Sequence, residues 1–245
     1  MIDYPILSAG KSDVGLVRQE NEDSFFLNDR IGLWLVADGM GGHENGALAS
    51  QTAVSGLKAL EIGTDFEDAV VKVADRVHQI NARLAALARD SGVSRMGTTA
   101  VALLLRGKSF AVVWVGDSRA YVWRRGGLFQ LSVDHTHVQD LIDQGILSPT
   151  DAKGHPMSHV LTRALGVQEE VQVDIVQDEI EPGDRFLLCS DGLTGPVAEN
   201  EIRELVASGD PQAAVEALIA RARDNGAPDN VTAIVVEVGG SAHDR

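Results

Sequence analysis

Short runs of consecutive apolar residues punctuate the chain at 32–37, 99–105, 110–115, 120–123, 186–189 and 231–238. Each is too short for a typical helix and rich in branched or aromatic side chains, so each predicts a buried strand. Val171, Val173 and Ile175 alternate with Gln172 and Asp174, the pattern of a strand with one wet face. Arg125-Gly126-Gly127, between 120–123 and 128–131, predicts a hairpin turn and therefore antiparallel pairing.

The helical signals are fewer. Thr64-Asp65-Phe66-Glu67 has the form of a capping box. Behind it Phe66, Val70, Val73, Val77, Ile80, Leu84 and Leu87 recur at steps of three and four, one apolar stripe on a long helix. Alanine-rich 45–60 predicts a second helix, and 138–144 a short one. Asp210-Pro211 supplies an N-cap and first-turn proline for another, with Gly226 as its stop. Residues 145–163 hold Pro149, Gly154 and Pro156 without a clear period and predict a mobile loop with at most short helical pieces. Strands with little regular β-α alternation, and helices gathered in blocks, predict an α+β layered fold on antiparallel sheets. With no repeat, linker or low-complexity tract, residues 1–245 read as a single domain.

Composition narrows the function classes. A net charge of −15 disfavours a nucleic-acid partner. The lone Cys189 gives no internal disulfide and no sign of an oxidising compartment. The N-terminus lacks the basic-then-apolar form of a signal peptide, and no apolar run nears the roughly 20 residues that span a bilayer. The expectation is a cytoplasmic protein without membrane insertion, and a monomer.

The placement of certain aspartates carries the chemistry. Asp38 follows the 32–37 run and precedes Gly39; Asp117 follows Gly116 after 110–115; Asp191 follows 186–189 and precedes Gly192; Asp229 stands just ahead of 231–238. Strand ends hold ligands rigidly, and the adjacent glycines let backbone, carbonyl oxygens included, come close. Carboxylates gathered at one sheet edge repel one another unless a cation sits among them. Hard oxygen donors without a cysteine or histidine pair favour Mg²⁺ or Mn²⁺ over zinc. Taken singly, each of these positions is equally an ordinary turn aspartate.

Asp13-Val14-Gly15-Leu16-Val17-Arg18-Gln19-Glu20-Asn21-Glu22-Asp23 resembles the opening motif of the protein phosphatase 2C family, the metal-dependent protein phosphatases. So do, in the family's order, Asp38-Gly39-Met40-Gly41-Gly42-His43, Gly97-Thr98-Thr99, Gly116-Asp117-Ser118-Arg119, Ser190-Asp191-Gly192 and Asp229-Asn230. Residues 161–166, Leu-Thr-Arg-Ala-Leu-Gly, are similar to the bacterial branch. The resemblance implies a sandwich of two antiparallel sheets flanked by helices. It implies two Mn²⁺ or Mg²⁺ ions and a weaker third: Asp38, Asp191 and Asp229 on the first, Glu22, Asp38 and the Gly39 carbonyl on the second, Asp117 with Asp191 on the third. Asp23 would hold a metal-bound water, Arg18 the substrate phosphate, and 145–163 would form a flap beside the cleft that governs substrate choice. The implied reaction is hydrolysis of phosphoserine and phosphothreonine on proteins by a metal-bridging water, reversing a bacterial Ser/Thr kinase.

The chain departs from the family in places. Eukaryotic members often carry a general-acid histidine where Met40 stands; here His43 is the nearest candidate, equally a solvent-facing loop residue. Gly195 replaces an acid that serves the third metal in some members, and Ser158-His159 replaces a frequent Arg-Asn. A cysteine phosphatase needs an arginine where Gly195 follows Cys189, and Gly10-Lys11-Ser12 lacks the first glycine of a P-loop. His78, on the long helix, reads as a surface residue, and His135, His137, His155 and His159 lack zinc-ligand spacing. Two alternatives stay open: a two-metal phosphoesterase for a small phosphoester, and a phosphoprotein-binding module without catalysis.

Overall fold

A computed structural model describes residues 2–42, 44–92, 96–152 and 154–239. In chain order the strands and helices are β1 (Ile6–Asp13), β2 (Asp23–Asn28), β3 (Leu33–Met40), α1 (Glu44–Lys58), α2 (Phe66–Ser91), β4 (Gly97–Thr98), β5 (Ala100–Arg106), β6 (Ser109–Val115), β7 (Arg119–Arg124), β8 (Gly127–Gln130), α3 (His137–Asp143), α4 (Pro149–Ala152), β9 (Asp174–Glu179), β10 (Arg185–Cys189), α5 (Asp191–Thr194), α6 (Glu199–Val206), α7 (Pro211–Asp224) and β11 (Val231–Val238). One sheet runs β1-β11-β10-β7-β8, the other β2-β3-β5-β6-β9 with β4 added to β3. Every pairing between these strands is antiparallel.

The unbroken apolar runs have a direct cause. An antiparallel sheet with one wet face alternates, but here the central strands are covered on both sides. On β3, Leu33, Leu35 and Ala37 pack outward under α1 and α2, while Trp34 and Val36 enter the space between the sheets. On β11, Val231, Ala233 and Val235 pack under α6 and α7, while Ile234, Val236 and Val238 face the other sheet. The result is a four-layer helix–sheet–sheet–helix sandwich, as the resemblance implied. Among the described residues no helix is long and apolar enough to cross a membrane.

The long α2 has its stripe inward, with Val70, Val73, Val77, Ile80 and Leu84 all buried. Its cap lies one residue later than the capping-box pattern predicts: the Asp65 carboxylate accepts from the Asp68 amide. The hairpin turn is real and tight, since Arg124 pairs Gly127 across Arg125 and Gly126, both at positive φ (53° and 85°). The 171–175 strand is displaced. Pairing with β6 begins only at Asp174, and buried Val171 meets the helix-side core before the strand starts. Strands β1 and β2 and helix α6 have no counterpart in the sequence reading. β1 is an edge strand containing Ser8, Gly10, Lys11 and Ser12, too polar to stand out, yet it pairs β11 from Ile6↔Val238 to Asp13↔Val231. Gly10-Lys11-Ser12 is therefore strand rather than a phosphate loop.

Candidate active site

The antiparallel order brings one set of strand ends to one mouth of the sandwich. There β2 begins, β3 ends, Asp117 follows β6, Asp191 follows β10 and Asp229 precedes β11. A cleft of about 560 Å³ opens at this mouth, with Arg18, Glu22, Asp38, Asp117, Asp191 and Asp229 in its wall. Gly39 lines it too, and Asp23 lies just behind, buried. The proposed residues, far apart in sequence, thus converge. His43 is outside the described residues.

Backbone close approach builds the mouth. A Cβ on Gly192 would stand 1.9 Å from the Asn230 carbonyl oxygen, so only glycine lets the Asp191 turn lie against the Asp229 loop. A Cβ on Gly46 would stand 1.9 Å from Glu22 Oε2, so the bare start of α1 leaves room for that carboxylate. Thr99 and Thr98 clamp Asp38 by its main chain. The Asp38 amide donates to Thr99 Oγ1 at 3.0 Å, and Thr98 Oγ1 donates to the Asp38 carbonyl at 2.9 Å. Asn230 ties down the loop that carries Arg18 and Glu22. Its Nδ2 donates to the carbonyls of Val14 and Glu20, each at 2.9 Å, and its Oδ1 accepts from the Glu22 amide at 2.8 Å.

The electrostatics are adverse for protein alone. Asp23 and Asp38 are direct cross-strand partners, a position where like charges destabilise a sheet. Burial, with Asp23, Asp191, Asp117 and Asp229 nearby, holds the Asp38 carboxyl well above the usual carboxylate range. Burial pushes Asp117 up to about 8 and Asp23 to about 7. Asp23 Oδ2 accepts from Ser190 and Thr232 hydroxyls at 2.8 and 2.7 Å, but buried Oδ1 has no hydrogen-bond partner. An oxygen-only set of this kind, with an orphaned buried acceptor, fits a hard divalent cation. Among the described residues no three acidic or histidine side chains close into a finished cage. The outer carboxylates turn instead to basic side chains of the protein: Arg18 donates to Asp229 at 2.7 Å, and His159 Nδ1 stands 3.4 Å from Asp191.

His159 is the site residue that sequence reasoning missed. No spacing marks it, and the chain brings it over the cleft only because 160–162 is fastened beneath: His137 N donates to the Val160 carbonyl, and Thr162 N to that of His135. Cys189 is buried in β10, where burial pushes its thiol up to about 12, an unreactive side chain as its strand position predicts.

A two-sheet sandwich with carboxylates gathered at one mouth defines a scaffold suited to hold divalent cations, and comparison with known proteins gives its family. The family model described as "Protein phosphatase 2C" matches residues 13–234. The serine/threonine protein phosphatase PstP of Mycobacterium tuberculosis is 39% identical over 231 residues, 94% of this chain; the chain spans 44% of that relative's length. The serine/threonine phosphatase stp of Listeria monocytogenes is 35% identical over 239 residues, 93% of this chain and 94% of its own. A crystal structure of the PstP catalytic domain in complex with 2 manganese ions superposes with a TM-score of 0.86 at 38% identity, covering 96% of this chain and 99% of that one. The chain belongs to the protein phosphatase 2C family.

Proposed function

We propose that this protein hydrolyses phosphoserine and phosphothreonine on proteins with the help of divalent cations, reversing a Ser/Thr kinase. The observation that carries this reading is the convergence of Asp38, Asp191, Asp229 and Glu22 from separate elements on one cleft, beside an arginine whose side chain is 56% exposed. Asp38, Asp191 and Asp229 would hold one cation, and Glu22, Asp38 and the Gly39 carbonyl a second. Asp117 and Asp191 would hold a third more weakly, because Gly195 brings no acid to that side. The cations would be Mn²⁺ or Mg²⁺.

When bound, such ions lower the pKa of water and offset charge building on the phosphoryl oxygens. The chain's own residues do the rest. Asp23, fixed through Oδ2 by Ser190 and Thr232, has its second oxygen without a partner and would orient a water beside the site. Arg18 presents a planar fork to two phosphate oxygens. It reaches them by leaving Asp229, whose charge a cation would take over. The departing alkoxide needs a proton; His43 is assigned to that step from its motif, and His159 is a second imidazole at the cleft wall.

Chelation with excess EDTA should abolish turnover of a phosphothreonine peptide, and Mn²⁺ or Mg²⁺ should restore it. Full turnover in EDTA would sink the metal mechanism. Faster hydrolysis of bis-p-nitrophenyl phosphate than of any phosphopeptide would favour the small-phosphoester reading instead.

A further inference from the structure

Beside the carboxylate cleft, and sharing Met40, Gly41, Gly42, His159 and Leu161 with it, lies a second cavity of about 590 Å³. Its character is different. Its wall gains Met96, Val160, Ala164 and Val167, together with the polar Thr162 and Gln168 and with Arg163, which is turned to Asp174 at 3.1 Å. Val160 and Val167 are 44% and 60% exposed, large apolar surface held open in a concavity. Gly97 makes room for it: a Cβ there would stand 2.9 Å from Val167 Cγ2 and 3.0 Å from Met40 Cε. On the far side of Gly42 the surface is polar, along Gln19, Glu20 and Glu22.

We infer that this cavity is a specificity pocket for an apolar side chain of the phosphoprotein substrate, close in sequence to the phosphorylated residue. The inference rests on the proposed protein-phosphatase activity. Continuity with the cleft names the occupant. Met40 is two residues past Asp38 on the same strand, a distance of roughly 6–7 Å, and an extended peptide covers that in about two residues. A leucine-sized side chain one to three positions from the phosphoresidue can therefore enter while the phosphate faces Arg18. An aspartate there would meet the valine and methionine walls and the nearby carboxylates, with Arg163 already paired to Asp174, so it is disfavoured.

The test uses the Mn²⁺-loaded protein and phosphothreonine peptides of polar background. Leucine or aspartate is placed in turn at each of the three positions on either side. At one or more positions, kcat/KM for the leucine peptide should exceed that for the aspartate peptide by about tenfold. Val167→Lys and, separately, Val160→Lys should bring that ratio close to one, because an ammonium in the wall disfavours leucine and attracts aspartate; both sites are exposed, and thermal melting shows whether each variant is folded. p-Nitrophenyl phosphate, too small to reach the pocket, reports whether the metal site turns over. No leucine preference at any position, or one that survives unchanged in the folded variants, overturns the pocket. Turnover of p-nitrophenyl phosphate with no peptide hydrolysed overturns the proposed activity itself.

Discussion

Asp38 shows how a single residue can serve function against stability. It faces Asp23 across the ladder and has Asp191, Asp117 and Asp229 around it, so burial and repulsion hold its carboxyl well above the usual range. An acid in that state keeps a proton when folded that it releases when unfolded. Its ionisation therefore costs stability, and increasingly so as pH rises from its unfolded value toward its folded one. Asp38→Asn removes the cost along with a proposed metal donor. In EDTA the variant should melt above the parent protein at pH 8, with the gap closing toward pH 4, while phosphopeptide turnover in Mn²⁺ is nearly lost. A variant that melts lower at pH 8 would show that Asp38 is stabilising as it stands. Asn230 is the complement: its three hydrogen bonds hold the loop of Arg18 and Glu22 in register, and its side chain has no charge to conflict with the site.

At the scale of elements, a buried histidine joins the carboxylate cleft to the 160–163 stem. His135 Nδ1 accepts from the Gly116 amide at 3.1 Å, and its other nitrogen stands 3.1 Å from Asp174, whose second oxygen takes Arg163. The ring stacks on Trp114. An acceptor at Nδ1 and a donor at Nε2 require the neutral imidazole, and burial lowers its pKa below the ordinary 6.5. The unfolded chain then binds a proton that the folded protein refuses, so this stabilisation is present at neutral pH and is lost as pH falls through about 6.5. His135→Ala should cost roughly 1–3 kcal/mol at pH 7.5, and urea unfolding at pH 5.5 should show a smaller difference between parent and variant. A difference that grows on acidification would mean that His135 is charged in the fold.

For the whole molecule, the proposed cation sites among the carboxylates should make stability depend on cations. A ligand at a hundredfold over its Kd adds about 2.7 kcal/mol, which in a chain of this size corresponds to a Tm rise of about 5–10 °C. Mn²⁺ should therefore raise the melting temperature by at least that much relative to EDTA. The rise should be larger at pH 8 than at pH 5.5, where protons compete for the same oxygens. An unchanged Tm at saturating Mn²⁺ would argue against any cation site in the cleft. The net charge of −15 adds to this dependence, since self-repulsion also favours bound cations.

The sequence by itself determined what depends on local order. The 231–238, 110–115 and 99–105 runs became β11, β6 and β5, and the apolar stripe behind Thr64 became the buried face of α2. Motif residues that name themselves by type and order, from Arg18 to Asp229, came together at one mouth. Other features depend on partners remote in the chain. β1 is a strand because β11 offers it a ladder, in spite of Ser8, Gly10 and Lys11. The 171–175 alternation yielded to the core that takes Val171, so pairing starts at Asp174. His159 stands over Asp191, and the apolar cavity lies beside the cleft, only because residues 160–162 are fastened to His135 and His137. Apolar periodicity and motif order are written within a few residues of one another, so a sequence carries them openly. Edge pairing, cross-strand repulsion and the closeness of two cavities are properties of distance in space, and the fold alone decides them.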